Sequence, residues 1–121
     1  MSAMRTLLLL EDEPLILMDL EFAAEDCGCC TYSATNPKAA LDLIEAHGES
    51  IDAAILDVSL GKGLTCFPVA HELQRRGIPY VLHSGDLDRH NERIRTLQAD
   101  RIAKPAPVEL VIEVALGQVG D

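Results

Sequence analysis

The sequence predicts an α/β fold, a doubly wound five-stranded parallel sheet with helices on both faces. Three observations carry that prediction. Short apolar runs alternate with longer segments of helical periodicity along the whole chain. The runs are nearly continuous in Leu, Ile, Val and Ala, as strands buried on both faces are. Polar and charged residues follow the runs directly, where a parallel sheet of this kind gathers its ligand-binding groups.

Residues 6–10 (Thr-Leu-Leu-Leu-Leu) form the first run, and Glu11-Asp12-Glu13 follows at once. Pro14 suits a first helical turn, Leu15, Met18 and Phe22 recur at helical spacing, and Gly28 offers a stop, so a helix is expected over residues 14–27. Residues 29–33 tolerate β structure. Asn36-Pro37 supplies a cap and a first-turn proline, after which Ala40, Leu43, Ile44 and His47 share one helix face before Gly48.

Residues 52–56 give the third strand, followed by the loop Ser59-Leu60-Gly61-Lys62-Gly63 and a helix over 66–76 that Gly77 ends. Arg75-Arg76 is expected as a solvated helix end that complements the helix dipole. Residues 78–83 are a fourth strand. The segment 88–98 is polar with few apolar anchors, so its helix should be short or irregular. A brief strand at 101–103 leads to Lys104-Pro105. In the last helix Val108, Val111, Ile112, Ala115 and Leu116 fall on one stripe while Glu109 and Glu113 face away. Strict alternation with right-handed crossovers closes the case for a parallel sheet.

A chain of 121 residues, 48% hydrophobic, has material for one core, and residues 1–121 are expected to form one domain. No apolar run nears the roughly 20 residues of a membrane-spanning helix. The opening run stops after four leucines and meets three acids, unlike an export signal, so the protein is expected in the cytoplasm and away from membranes. The net charge of −10 argues against nucleic acid as a partner. Charge is also uneven: seven acidic residues and no Lys or Arg lie between Thr6 and Pro37, and seven of the ten basic residues lie between Arg75 and Lys104. Cys27, Cys29, Cys30 and Cys66 lack the spacing of a zinc site or a disulfide framework, and are expected to be reduced and mostly buried.

On such a sheet the residues after the strands converge on one edge. Those are Glu11 and Asp12 after the first strand, Asp57 closing the third, Ser84 after the fourth and Lys104 after the fifth. Three carboxylates in one cleft repel one another, and a hard divalent cation with oxygen ligands, Mg²⁺ first, is the natural compensation. Each piece alone has a plain reading: an acidic helix start, a turn aspartate, a Ser-Gly-Asp turn, a loop lysine. Their joint placement at strand ends favours a site. His83 and His90 are assigned no role, and the Cys27–Cys30 cluster is read as packing.

The segments Leu7-Leu8-Leu9-Leu10-Glu11-Asp12-Glu13-Pro14, Ile55-Leu56-Asp57-Val58 and Ala103-Lys104-Pro105 together resemble the receiver domain of two-component response regulators over essentially the whole chain. The resemblance implies a flavodoxin-like (βα)5 fold. It implies that Asp57 is the phosphoacceptor, that Glu11 and Asp12 are the metal-binding acidic pair, and that the backbone carbonyl of Ser59 completes a Mg²⁺ site with Asp57. Ser84 matches the phosphate-binding hydroxyl and Lys104 the lysine that pairs with the phosphoryl group. A histidine kinase or histidine phosphotransfer protein would be the donor. The chain ends about one turn after the last helix, so a stand-alone regulator is expected, acting by protein contact or as a phosphate sink, with at most slow self-catalysed phosphorylation and dephosphorylation. A homodimer stays open.

Two features depart from the family pattern. Arg101 stands where many receivers carry an aromatic switch residue three positions before the lysine, and Ala106 stands where an aromatic often follows the proline. The sequence Pro79-Tyr80 followed by Val81-Leu82-His83-Ser84-Gly85 partly resembles a subset lacking that switch, for which output is expected to involve the segment 86–98 and Arg101. A cis Lys104-Pro105 peptide is also implied. Two alternatives remain: an aspartate-nucleophile phosphatase, against which Ser59 stands where a second acid is usual, and a pseudo-receiver that binds partners without being phosphorylated.

Overall fold

The computed structural model describes residues 4–85, 96–97 and 99–119. Its strands are β1 (Thr6–Leu10), β2 (Cys30–Ala34), β3 (Ala53–Asp57), β4 (Tyr80–Ser84) and β5 (Asp100–Ala103). All pair in parallel, in the order β2-β1-β3-β4-β5. The described helices are α1 (Pro14–Asp26), α2 (Pro37–His47), α3 (Phe67–Arg76) and α4 (Val108–Gly117). The helix expected at 88–98 falls almost entirely outside the described residues.

The continuous apolar runs are explained by helices on both faces. Leu8, Leu10, Leu56 and Leu82 point toward α2 and α3, where Ile44, Phe67 and Leu73 meet them. Leu7, Leu9, Ile55 and Val81 point the other way, toward Leu20 and Ala24 of α1 and Val111 and Ile112 of α4. Burying each such leucine contributes about 2 kcal/mol. The chain runs from β1 outward to β2 and then returns to the other side of β1 to form β3. The strand order therefore reverses between β1 and β3, which opens a crevice at their carboxyl ends.

Local signals set the helix ends. The Asn36 side chain accepts a hydrogen bond from the Ala39 N–H at 2.8 Å, capping α2. Gly77 adopts a left-handed conformation, φ +72°, and closes α3. Arg75 and Arg76 in its last turn also pair with Glu72, so that helix end is stitched as well as solvated. His47 is exposed, and its ring stacks on Tyr32 with centroids 4.4 Å apart.

One expectation is sharpened and one is corrected. Leu15, Met18 and Phe22 do recur at helical spacing, but they form the outward stripe of α1 and are exposed; Leu20, Ala23 and Ala24 are the buried ones. The helix is apolar on most sides, so spacing located it without identifying its packed face. Cys29 and Cys66 are buried, whereas Cys27 and Cys30 are exposed, because one caps α1 and the other opens the edge strand β2. None of the four is in a disulfide.

Candidate functional site

The crevice at the carboxyl ends of β1 and β3 collects the acidic residues. Glu11 and Asp57 are buried and Asp12 is half-buried, and one ligand oxygen from each lies within 4.8 Å of the others. Glu11 follows β1 directly, and its backbone N–H extends the pairing to the Ala34 carbonyl at 3.1 Å. Its carboxylate also accepts the Glu13 N–H at 3.2 Å, which holds the side chain across the start of α1. Asp57 is the last residue of β3, one strand over.

Lys104 closes the cluster from β5. Its ammonium donates to Glu11 Oε1 at 2.9 Å and stands 3.4 Å from Asp57 Oδ2. Its backbone N–H is tied to the Ser84 carbonyl at 2.9 Å, and the peptide to Pro105 is cis. Gly85 lies against the lysine stem: a Cβ there would meet Lys104 Cβ at 3.4 Å. The loop after β3 folds back through a Ser59–Thr65 bridge, and Gly61, with φ +76°, runs beside Asp12 Oδ2.

The three acidic groups could hold a cation. Burial, then the Glu11 charge and hydrogen bonding among the carboxyls, push Asp57 up to about 8 against the pull of Lys104. Burial works against the Lys104 ammonium, but its hydrogen bond to Glu11 and the two carboxylate charges hold it above its ordinary value. One ammonium thus faces three carboxyls. A hard dication with oxygen ligands is the group whose charge and donor preference fit what remains. The buried hydroxyls of Ser84 and Ser59 have no partner among the described residues.

Sequence reasoning named Glu11, Asp12, Asp57 and Lys104, and the fold brings these four together; Ser84 and Ser59 sit at adjoining strand ends. It gave no role to His83. That ring lies in β4 opposite Asp57 in register, is 3% exposed, and has no partner on either nitrogen among the described residues. Burial and then the Lys104 charge lower it to about 4, so it is neutral. Arg101 is exposed on β5.

No family model matches the sequence, and no curated protein does. Solved structures do. The solution structure of SdrG from Sphingomonas melonis Fr1 is 38% identical over 97% of both chains, with a TM-score of 0.77. A response regulator receiver protein from Sinorhizobium medicae WSM419 is 21% identical, covering 94% of this chain and 93% of its own, with a TM-score of 0.82. A response regulator receiver domain protein from Clostridium thermocellum gives 21%, 95%, 96% and 0.79 for the same measures. The fold is that of these response regulator receiver domains. The chain belongs to the receiver-domain family.

Proposed function

We propose that Asp57 accepts a phosphoryl group from a histidine kinase or histidine phosphotransfer protein. The observation that carries this reading is the Asp57 carboxylate, buried at the end of β3 within 3.4 Å of the Lys104 ammonium and grouped with Glu11 and Asp12. A carboxylate attacking phosphorus forms a mixed anhydride, and the donor's N–P bond breaks as the O–P bond forms. Such a transfer depends mainly on positioning and on charge stabilisation at the phosphoryl oxygens.

Glu11, Asp12, Asp57 and the Ser59 carbonyl would hold Mg²⁺. When bound, the ion would keep Asp57 ionised and neutralise phosphoryl charge. Lys104, already between Glu11 and Asp57, supplies a positive charge, and the Ser84 hydroxyl supplies a hydrogen-bond donor. With Arg101 exposed on β5 and no aromatic there, output proceeds without the strand-5 aromatic, through partner contact or as a phosphate sink.

Incubation with acetyl phosphate and Mg²⁺, read by intact mass, tests the proposal. The wild type should gain one phosphoryl group and Asp57→Asn none. A wild type that gains no mass overturns phosphorylation and leaves an interaction module.

A further inference from the structure

β4 alternates its side chains between the two faces of the sheet. Leu82 packs toward α2 and α3, while Val81 packs toward α1 and α4, and His83 follows Val81. There His83 forms part of a cavity of about 210 Å³ lined also by Ile16 and Asp19 of α1, Lys104, Ala106 and Val108. The walls are largely aliphatic. His83 is 3% exposed and both its ring nitrogens lack a partner among the described residues, so the described lining offers the cavity one buried donor and one buried acceptor.

The lining narrows the occupant by its chemistry. A hydrocarbon would leave His83 unpaired. A carboxylate would meet Asp19. A compact flat ring with an N–H fits both demands: its faces contact Ile16, Ala106 and Val108, and its nitrogens pair with His83 or Asp19. Because Lys104 belongs both to this cavity and to the phosphoacceptor cluster, the occupant would sit beside the Asp57 site.

We infer that this cavity is a subsite for an imidazole ring, the histidine side chain of the phosphodonor, hydrogen-bonded to His83. The inference rests on the reading of Asp57 as phosphoacceptor. In the transfer, the Asp57 oxygen bonds to phosphorus and the N–P electron pair stays on the departing ring nitrogen. A ring protonated on its other nitrogen leaves as neutral imidazole, and a ring nitrogen of His83 accepts a hydrogen bond from that N–H. His83 would thereby favour nitrogen-borne over carboxyl-borne phosphoryl groups.

Two measurements test this. In the first, wild type and His83→Phe are phosphorylated in Mg²⁺ by N-phosphorylimidazole and by acetyl phosphate, and KM is taken for each donor from intact mass against time. Loss of one hydrogen bond should raise the phosphorylimidazole-to-acetyl-phosphate KM ratio about tenfold. An unchanged ratio overturns the inference.

In the second, imidazole alone is titrated into Asp57→Asn while the His83 ring and the Val108 methyls are followed by NMR. Saturable shifts at both, lost in His83→Phe, are expected. No saturable shift means that the cavity holds only water, and the inference falls. This readout needs no phosphorylation, so a wild type that takes no phosphoryl group from either donor would sink the phosphoacceptor reading without deciding the titration.

Discussion

β3 buries all five of its residues and ends in Asp57, whereas β5 buries none of its four and ends one residue before Lys104. Both strands deliver a charge to the same crevice. β3 is packed from both faces of the sheet, while Lys104 follows the edge strand and pairs with Glu11 and Asp57. The difference teaches that the acidic half of the site is fixed before any ligand arrives, and that the basic half is the part free to follow one.

The largest effect should come from breaking the rigid half. Leu56→Ala, at a fully buried position on β3, should cost about 3 kcal/mol, and Ile102→Ala, half-buried on β5, about 1 kcal/mol. Urea unfolding of both variants would check this. Equal losses would mean that β5 is packed as firmly as β3, and the comparison would fail.

Next comes the ion pair itself. Lys104→Met keeps most of the stem's volume but leaves the buried Glu11 carboxylate without its countercharge. It should cost about 2 kcal/mol at neutral pH, since stripping one partner from a buried pair leaves an uncompensated charge. Protonating the carboxylate removes that charge, so the loss should shrink on acidification. A loss independent of pH in thermal melts would show that Lys104 acts through packing alone.

The same contrast explains what the sequence disclosed. Glu11, Asp12 and Asp57 were legible because each adjoins a run so apolar that only a buried strand accounts for it, and strand order then brings them together. The face of α1 was not legible. Leu15, Ile16, Leu17, Met18, Leu20 and Phe22 give that helix apolar residues on most sides, and only the fold turns Leu15, Met18 and Phe22 outward. His83 was missed for a related reason. One polar residue inside a strand does not reveal which face it takes, or that a cavity lies over it. Arg101, by contrast, declared its difference through spacing from Lys104 alone.

The effect with the clearest sign is at Asp57. Burial and Glu11 raise its carboxyl from 3.8 to about 8 in the folded protein. Below the lower value both folded and unfolded chains are protonated there, and the group does not affect stability. Between the two values the unfolded chain releases its proton more readily, so stability falls as pH rises, and above the upper value the penalty is complete. Asp57→Asn carries no charge to bury. Its melting temperature should therefore match the wild type near pH 4 and exceed it at pH 8 by several degrees, with about 1 kcal/mol corresponding to roughly 4 °C in a domain of this size. Mg²⁺ should narrow the gap by stabilising the wild type more than the variant, because the ion offsets the charge that the asparagine has removed. A gap that stays constant from pH 4 to pH 8 would mean that Asp57 is ionised at little cost, with Lys104 compensating it fully, and the basic half of the site would then be as fixed as the acidic half.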